Sequence, residues 1–268
     1  MVPSYHRPAS VAEALKLKDS LGQGAVFLAG GTEVNNLHAA RPKALIDLVG
    51  LGLDKIEVSP KGVRIGSGVT FQQLVEHPEV PWFLKTAAGQ MANRNIRNRA
   101  TVGGHLGINR SCADLIPTLL AAEAQVALVD RELPIEKFLA GEPGLILSVF
   151  VPATTRAFGL GNQTRTANDI SIVTASASLA LEGKNVKSPI LAIGGVAAHV
   201  VRLHDVEASL DGKPLPAPEQ LEACIAESVK PIDDLRGSAA YKRQIAAVLG
   251  ERALRAAVTR LVSAVGAR

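Results

Sequence analysis

The sequence is poor in cysteine, in aromatic side chains and in long apolar runs, and each shortage removes a class of protein. Its 268 residues include two cysteines, Cys112 and Cys224, far apart in the chain. Two are too few for a disulfide framework, so the chain reads as cytoplasmic. They are also too few for the four thiolates that usually hold an iron–sulfur cluster. Aromatic residues make up 3%. Proteins that bind single strands stack bases on aromatic rings, so no nucleic-acid partner is expected, although the net charge is +4 and the pI about 9.2. The basic residues are scattered rather than gathered into a stripe. The first residues, MVPSYHRPASVAEALKL, hold no apolar signal core. The longest uncharged apolar run, ILAIGGVAAHVV at 190–201, is too short for a bilayer and reads as a buried strand, so no membrane association is expected.

Motifs of resident chemistry are missing too. RIGSGVTF at 64–71 follows a strand pattern but lacks the third glycine of a dinucleotide fingerprint. No phosphate loop and no GxSxG elbow occurs. The six histidines show no metal-ligand spacing, so neither a catalytic residue nor a metal site is expected.

What is present is a chain with 47% hydrophobic residues, enough for one large domain or two modest ones. Ser10 and Glu13 fit a capping box ahead of a helix. KIEVSPKGVRIGSG at 55–68 reads as a hairpin turning at 59–62. Thr70 can cap a short helix, and Pro81 suits the opening of another. Pro117 must fall near a helix start or at a kink. Strands are expected at 125–130, 145–152, 169–183 and 188–203, and helices from Pro216 onward. The best boundary between the two parts is the polar, loop-like stretch at 157–169.

Two Gly-Gly pairs follow apolar segments: LAGGTEVNN at 28–36 and TVGGHLGIN at 101–109. A glycine pair permits positive φ and close approach of a ligand, and successive N–H groups in such turns can cradle an anion such as a diphosphate. Each turn alone is most simply an ordinary tight turn. The pair together, with Thr32 and Thr101 and the adjoining IRNRAT, favours a ligand. Arg94, Arg97 and Arg99 either meet phosphates or carboxylates or lie at the surface or a subunit contact. Asp114, near an expected helix start, either complements the helix dipole or accepts a hydrogen bond from a ribose hydroxyl or water. His105 is more simply incidental than a ligand neighbour, and Cys112 more simply a small core residue than a redox group. Arg252, Arg255 and Arg260, about a turn apart, either form a docking face or are ordinary solvated charge, which is preferred.

LAGGTEVNNL, LIDLVGLGLDKIEV, GVRIGSGVTFQQL, NRNIRNRATVGGHL, ADLIPTLLAAEAQVAL and LRGSAAYKRQIAAVL occur in an order that resembles the FAD-binding medium subunit of molybdenum hydroxylases, a family that includes xanthine and carbon monoxide dehydrogenases. The likeness covers nearly the whole chain and looks closest to the short, xanthine-dehydrogenase-like bacterial flavin subunits. It implies an α+β architecture: a PCMH-type FAD-binding domain of two α/β subdomains at 1–160, then a C-terminal α+β domain at 161–268, a three-stranded sheet with helices. It implies non-covalent FAD, its diphosphate cradled by Leu28, Ala29, Gly30, Gly31, Thr32, Glu33, Val34 and Asn35 in the first loop and by Thr101, Val102, Gly103, Gly104 and His105 in the second. Asp114 matches a family aspartate near the cofactor, and Ile146 a position whose backbone lies by the flavin or adenine. The resemblance also implies partners: a molybdopterin-binding large subunit and a small subunit with two [2Fe–2S] centres, which send electrons to FAD and on to NAD. One departure stands out. Where the family commonly has a basic residue, often lysine, this chain has Gly161 or Asn162, with Arg165 the nearest cation. An alternative expectation is therefore a structural or assembly subunit that has lost FAD. Glu33 is unusual beside a diphosphate, and its side chain is expected to face solvent.

Overall fold

The computed structural model describes residues 4–34 and 41–266. Three sheets follow one another along the chain. The first is parallel, in the order β1–β3–β2: β1 (Ser4–His6), β2 (Ala25–Leu28) and β3 (Ala44–Asp47), with helix α1 (Val11–Leu21) between β1 and β2. Ser10 caps α1 by accepting from the Glu13 N–H at 3.1 Å, while the Glu13 carboxylate reaches back to the Ala9 N–H. Ala14, Ala25, Ala44 and Ile46 form a small core, so helix and sheet pack over short side chains.

The second sheet is antiparallel, in the order β4–β5–β8–β6–β7. Its first hairpin, β4 (Ile56–Ser59) and β5 (Gly62–Gly66), turns where the sequence indicates. Gly62 is required there: its φ is +142°, and a β-carbon would stand 2.2 Å from the Val151 carbonyl oxygen. Helices α2 (Phe71–Glu76), α3 (Trp82–Gln90), α4 (Arg94–Arg97), α5 (Val102–Ile108) and α6 (Ile116–Ala121) follow, then β6 (Gln125–Leu128), β7 (Glu132–Pro134), α7 (Ile135–Leu139) and β8 (Ile146–Pro152). Thr70 and Gln73 close a full capping box on α2, and Pro117 occupies the first turn of α6, where its missing N–H costs nothing.

The third sheet is antiparallel, in the order β12–β11–β10–β9: β9 (Ala157–Gln163), β10 (Val173–Glu182), β11 (Asn185–Gly194) and β12 (Val201–Arg202). Helices α8 (His204–Leu210), α9 (Pro218–Ser228) and α10 (Ala239–Gly266) complete the chain. The sheet thus has four strands, not three, the fourth being the two-residue β12. Residues 157–163, read as loop, form β9. Their glycines serve contact rather than turning: a β-carbon on Gly159 would lie 1.9 Å from the Ala253 carbonyl oxygen of α10. The run at 190–201 is not one strand, because β11 stops at Gly194 and Gly195 takes φ +85°.

β10 divides its two faces. Ala175, Ala177 and Leu179 pack into the core shared with α9 and α10. Thr174, Ser176 and Ser178 turn to α6 and its approach: Thr174 Oγ1 donates to Ala113 O at 3.3 Å, Ser178 Oγ to Ala121 O at 2.5 Å, and the Ser176 and Thr118 hydroxyls meet at 2.7 Å. Beside this row Phe83 of α3 and Phe158 of β9 stack with centroids 3.8 Å apart. The last sheet is thereby fastened to the second unit by both polar and aromatic contacts. Among the described residues no helix is long and apolar enough to cross a membrane.

Candidate functional site

The first Gly-Gly segment meets the chain on either side of the second, at Arg99 and at Arg110. The chain leaves β2 at Leu28, and every described residue from Leu28 to Val34 is half-buried. Gly30 rests against the chain just ahead of α5: a β-carbon there would sit 1.7 Å from the Arg99 carbonyl oxygen. Gly31 takes φ +74°, which bends the loop away from the strand. Among the described residues, the N–H groups of Gly30 and Gly31 have no acceptor. Asn35 lies outside the described residues.

The second Gly-Gly pair is not a tight turn. Gly103 and Gly104 sit in the first turn of α5, capped by Thr101, whose Oγ1 accepts from the Gly104 N–H at 3.2 Å. The Val102 N–H donates to Val69 O and the Gly103 N–H to Ser67 O, so these donors are spent on the protein. Gly103 is there for close packing: a β-carbon would lie 2.5 Å from the Ser67 side chain. Ser67 in turn donates to Leu147 O. The preceding residue, Ile146, at the start of β8, is buried in the core.

The Glu33 side chain is half-buried, 31% exposed, rather than free in solvent. It forms an ion pair with Arg110, tying the first loop to the chain beyond α5. Arg110 is followed by Ser111, whose carbonyl accepts from Gly195, and by Asp114. The Asp114 carboxylate does not cap α6; it accepts from Ser171 Oγ at 2.5 Å. Burial pushes its pKa up to about 6, partly countered by that hydrogen bond. His105 is fixed too: its Nε2 accepts from the Leu115 N–H at 3.4 Å, and its ring meets Phe71 edge-on. Burial lowers its pKa to about 4, so it is neutral at ordinary pH. Half-buried Cys112 carries a free thiol, which burial pushes up and away from the reactive thiolate form.

The arginines separate by role. Arg97 donates to the carbonyls of Met91 at 2.9 Å and Ala92 at 2.8 Å and to Gln72, holding the turn after α3. Arg94 pairs with Glu76. Arg99 lines a cleft of about 360 Å³ between the first sheet's loops and the second unit, walled also by Gly30, Asp54, Thr70 and Asn98. Arg255 pairs with Glu251, and the Arg260 guanidinium lies 4.0 Å from the Trp82 ring centre, so both are spent within the chain.

Residues 2–154 match the family described as the FAD binding domain in molybdopterin dehydrogenase. The chain belongs to the flavoprotein subunits of the molybdenum hydroxylases. Residues 162–257 of this flavoprotein match a second family, the CO dehydrogenase flavoprotein C-terminal domain. The Escherichia coli K12 protein YgfM is 33% identical over 254 residues, covering 93% of this chain and 94% of its own. The nicotine 6-hydroxylase medium subunit of Paenarthrobacter nicotinovorans is 28% identical, covering 93% and 95%. A solved chain of carbon monoxide dehydrogenase from Hydrogenophaga pseudoflava superposes with a TM-score of 0.88 at 30% identity, covering 97% of this chain and 99% of that one. The flavoprotein is accordingly an oxidoreductase subunit whose family cofactor is FAD, with molybdopterin and iron–sulfur groups carried by partner subunits.

The residues present fit FAD on the first loop, where among the described residues the N–H groups of Gly30 and Gly31 have no acceptor and Gly30 lines an open cleft. They fit it less directly on the second, whose first amides are already bonded. The Asp114–Ser171 pair escaped sequence reasoning in its second member: nothing local marks Ser171, 57 residues further along.

Proposed function

We propose that the chain is the flavin relay of a xanthine-dehydrogenase-like molybdenum hydroxylase. It takes electrons from the iron–sulfur centres of a small subunit and passes them to NAD or another acceptor. A molybdopterin-binding large subunit acts on the organic substrate. The observation that carries this reading is the close approach of the first Gly-Gly loop, at Gly30, to Arg99 just ahead of the second, beside an open cleft that Thr101 also lines, in a chain of this family. Two relatives are named for different substrates, nicotine and carbon monoxide; in this proposal substrate choice belongs to the large subunit. The free cysteines support a cytoplasmic setting.

FAD supplies the redox chemistry when bound, and the chain supplies position and electrostatics. In this proposal residues 28–35 and 101–105 hold FAD, with Asp114 and the Ile146 backbone at its edge. Gly30 and Gly31 donate to the diphosphate, and the Glu33–Arg110 pair keeps the loop closed on it. Thr101 and His105 fix the α5 wall: Thr101 caps the helix, and His105 holds the backbone next to Asp114. Asp114, with a pKa near 6, can hold a proton beside the site close to neutral pH. The division into 1–160 and 161–268 is part of the proposal, with FAD held mainly by the first part; β9 (Ala157–Gln163) starts the third sheet a few residues ahead of it.

A second reading has its own observation. Gly161 packs against Leu249 of α10, so no cation replaces the family's usual basic residue there, and a structural subunit without FAD would need none. One experiment separates the two: purify the full chain, record its visible spectrum and identify flavin released on denaturation. Near-stoichiometric, releasable FAD supports the relay. A colourless protein that stays colourless after FAD is added supports the structural subunit.

A further inference from the structure

Two charged side chains line the cleft, Arg99 and Asp54, and neither has a partner among the described residues. Of the other polar side chains in the cleft, Asn98 shares that state among the described residues and the rest do not. Thr70 and Gln73 bond each other, and Thr101 is occupied by its helix cap. Arg99 is also unusual among neighbours, since Arg94 and Arg97 are both spent on the protein. Opposite charges that share a cleft and form no ion pair leave both signs available to a ligand. The arginine's position is not left to chance, because its own carbonyl is wedged against Gly30. Its backbone is therefore fixed beside Gly30, and both residues line the cleft.

The ligand chemistry that answers such a pair carries an anion and, a few bonds away, a hydroxyl-bearing ring. A guanidinium is suited to phosphate oxygens, and a carboxylate accepts from ribose hydroxyls in other nucleotide sites. We propose that Arg99 and Asp54 read the adenosine diphosphate half of FAD, Arg99 opposing the diphosphate and Asp54 accepting from the ribose. The assignment rests on the FAD reading above and adds to it the side chains that discriminate the ligand. Glycine backbone alone would hold any diphosphate; the two side chains make the cleft prefer a ribonucleotide.

The test uses the full chain stripped of flavin, titrated calorimetrically with FAD, ADP and 2′,3′-dideoxy-ADP. Arg99→Gln is expected to weaken FAD and ADP about tenfold and to flatten the salt dependence of binding, with Arg99→Lys in between. Asp54→Asn, which leaves a weaker neutral acceptor, is expected to reduce the preference for ADP over its dideoxy analogue. Both side chains are exposed, so the variants should melt with the wild type. Unchanged FAD and ADP affinity in Arg99→Gln at low salt, or an unchanged ribose preference in Asp54→Asn, overturns the assignment. FAD binding that ADP does not contest overturns it as well and leaves the FAD reading standing. ADP binding with the expected variant effects but no FAD binding supports the cleft assignment and sinks the FAD reading. A chain that binds neither overturns both.

Discussion

Gly30 and Arg99 touch through backbone alone: a β-carbon on the glycine would lie 1.7 Å from the arginine's carbonyl oxygen. No rotamer change relieves such a clash, because both partners are main chain. Gly30→Ala should therefore push the first loop off α5 and cost about 3 kcal/mol. Gly107→Ala is the contrasting case. It lies within α5 with nothing within 4 Å of the added carbon and should gain about 0.5–1 kcal/mol. Chemical denaturation of both variants, with flavin content measured alongside, checks the pair. Equal stability in the two would contradict the close approach.

Asp114 gives a pH signature. Its folded pKa of about 6 lies above the ordinary aspartate value, so burial of its charge opposes folding once the carboxyl ionises. The cost is absent below pH 4, grows as the pH rises to 6, and reaches about 3 kcal/mol above that. Asp114→Asn removes it. The variant should be more stable than wild type at pH 8, by up to that amount, and equal to it below pH 4. If Asp114 also serves the cofactor, flavin retention should fall while stability rises, which urea titrations and absorbance of the same samples would show.

His105 acts in the opposite direction over the same range. Its pKa, lowered to about 4 by burial, means that the unfolded chain binds the proton first as pH falls below 6.5. Stability contributed by the neutral ring is present above 6.5 and lost between 6.5 and 4. In wild type the two groups offset each other on the acid side. Asp114→Asn should unmask the histidine and give a steeper loss of stability from pH 7 to 4. An acid limb no steeper than that of wild type would refute the His105 assignment.

Ser171 carries the one hydrogen bond to the Asp114 carboxylate among the described residues, and removing it strands a buried carboxylate. Ser171→Ala should cost about 1–3 kcal/mol at pH 8 and much less at pH 4, where the carboxyl is protonated. In the Asp114→Asn background the pH dependence of that cost should vanish. A double-mutant cycle at the two pH values checks it.

Glu33 and Arg110 form a pair whose arginine side chain is 56% exposed, so its worth to stability is small. Glu33→Gln should shift the unfolding free energy by less than about 1 kcal/mol. Its expected effect is on the loop: faster release of flavin, followed by the dissociation rate after dilution. Unchanged release would show that the ion pair does not hold the loop closed.

Local chemistry was legible in the sequence where it acts locally. The caps at Ser10 and Thr70, the 59–62 turn and the place of Pro117 all follow from residues within a few positions. The second Gly-Gly pair misled, because glycine marks a turn and a close packing contact alike, and only the position of Ser67 decides between them. Residues 157–163 misled for the same reason: Gly159 is small to admit α10, not to bend the chain. Glu33 could not be placed without Arg110, nor Asp114 without Ser171, since these partners come from distant segments that only the fold brings together.

The hydroxyl row of β10 has a consequence for how this chain can change. Thr174 and Ser178 address carbonyl oxygens, at Ala113 and Ala121, rather than side chains. A carbonyl is offered by every residue type, so the segment from 113 to 121 can alter its side chains at those two points without losing its hold on the sheet. The joint is thus indifferent to much sequence drift, and the C-terminal unit of a relative should graft onto this N-terminal unit if the hydroxyls and the spacing along β10 are kept.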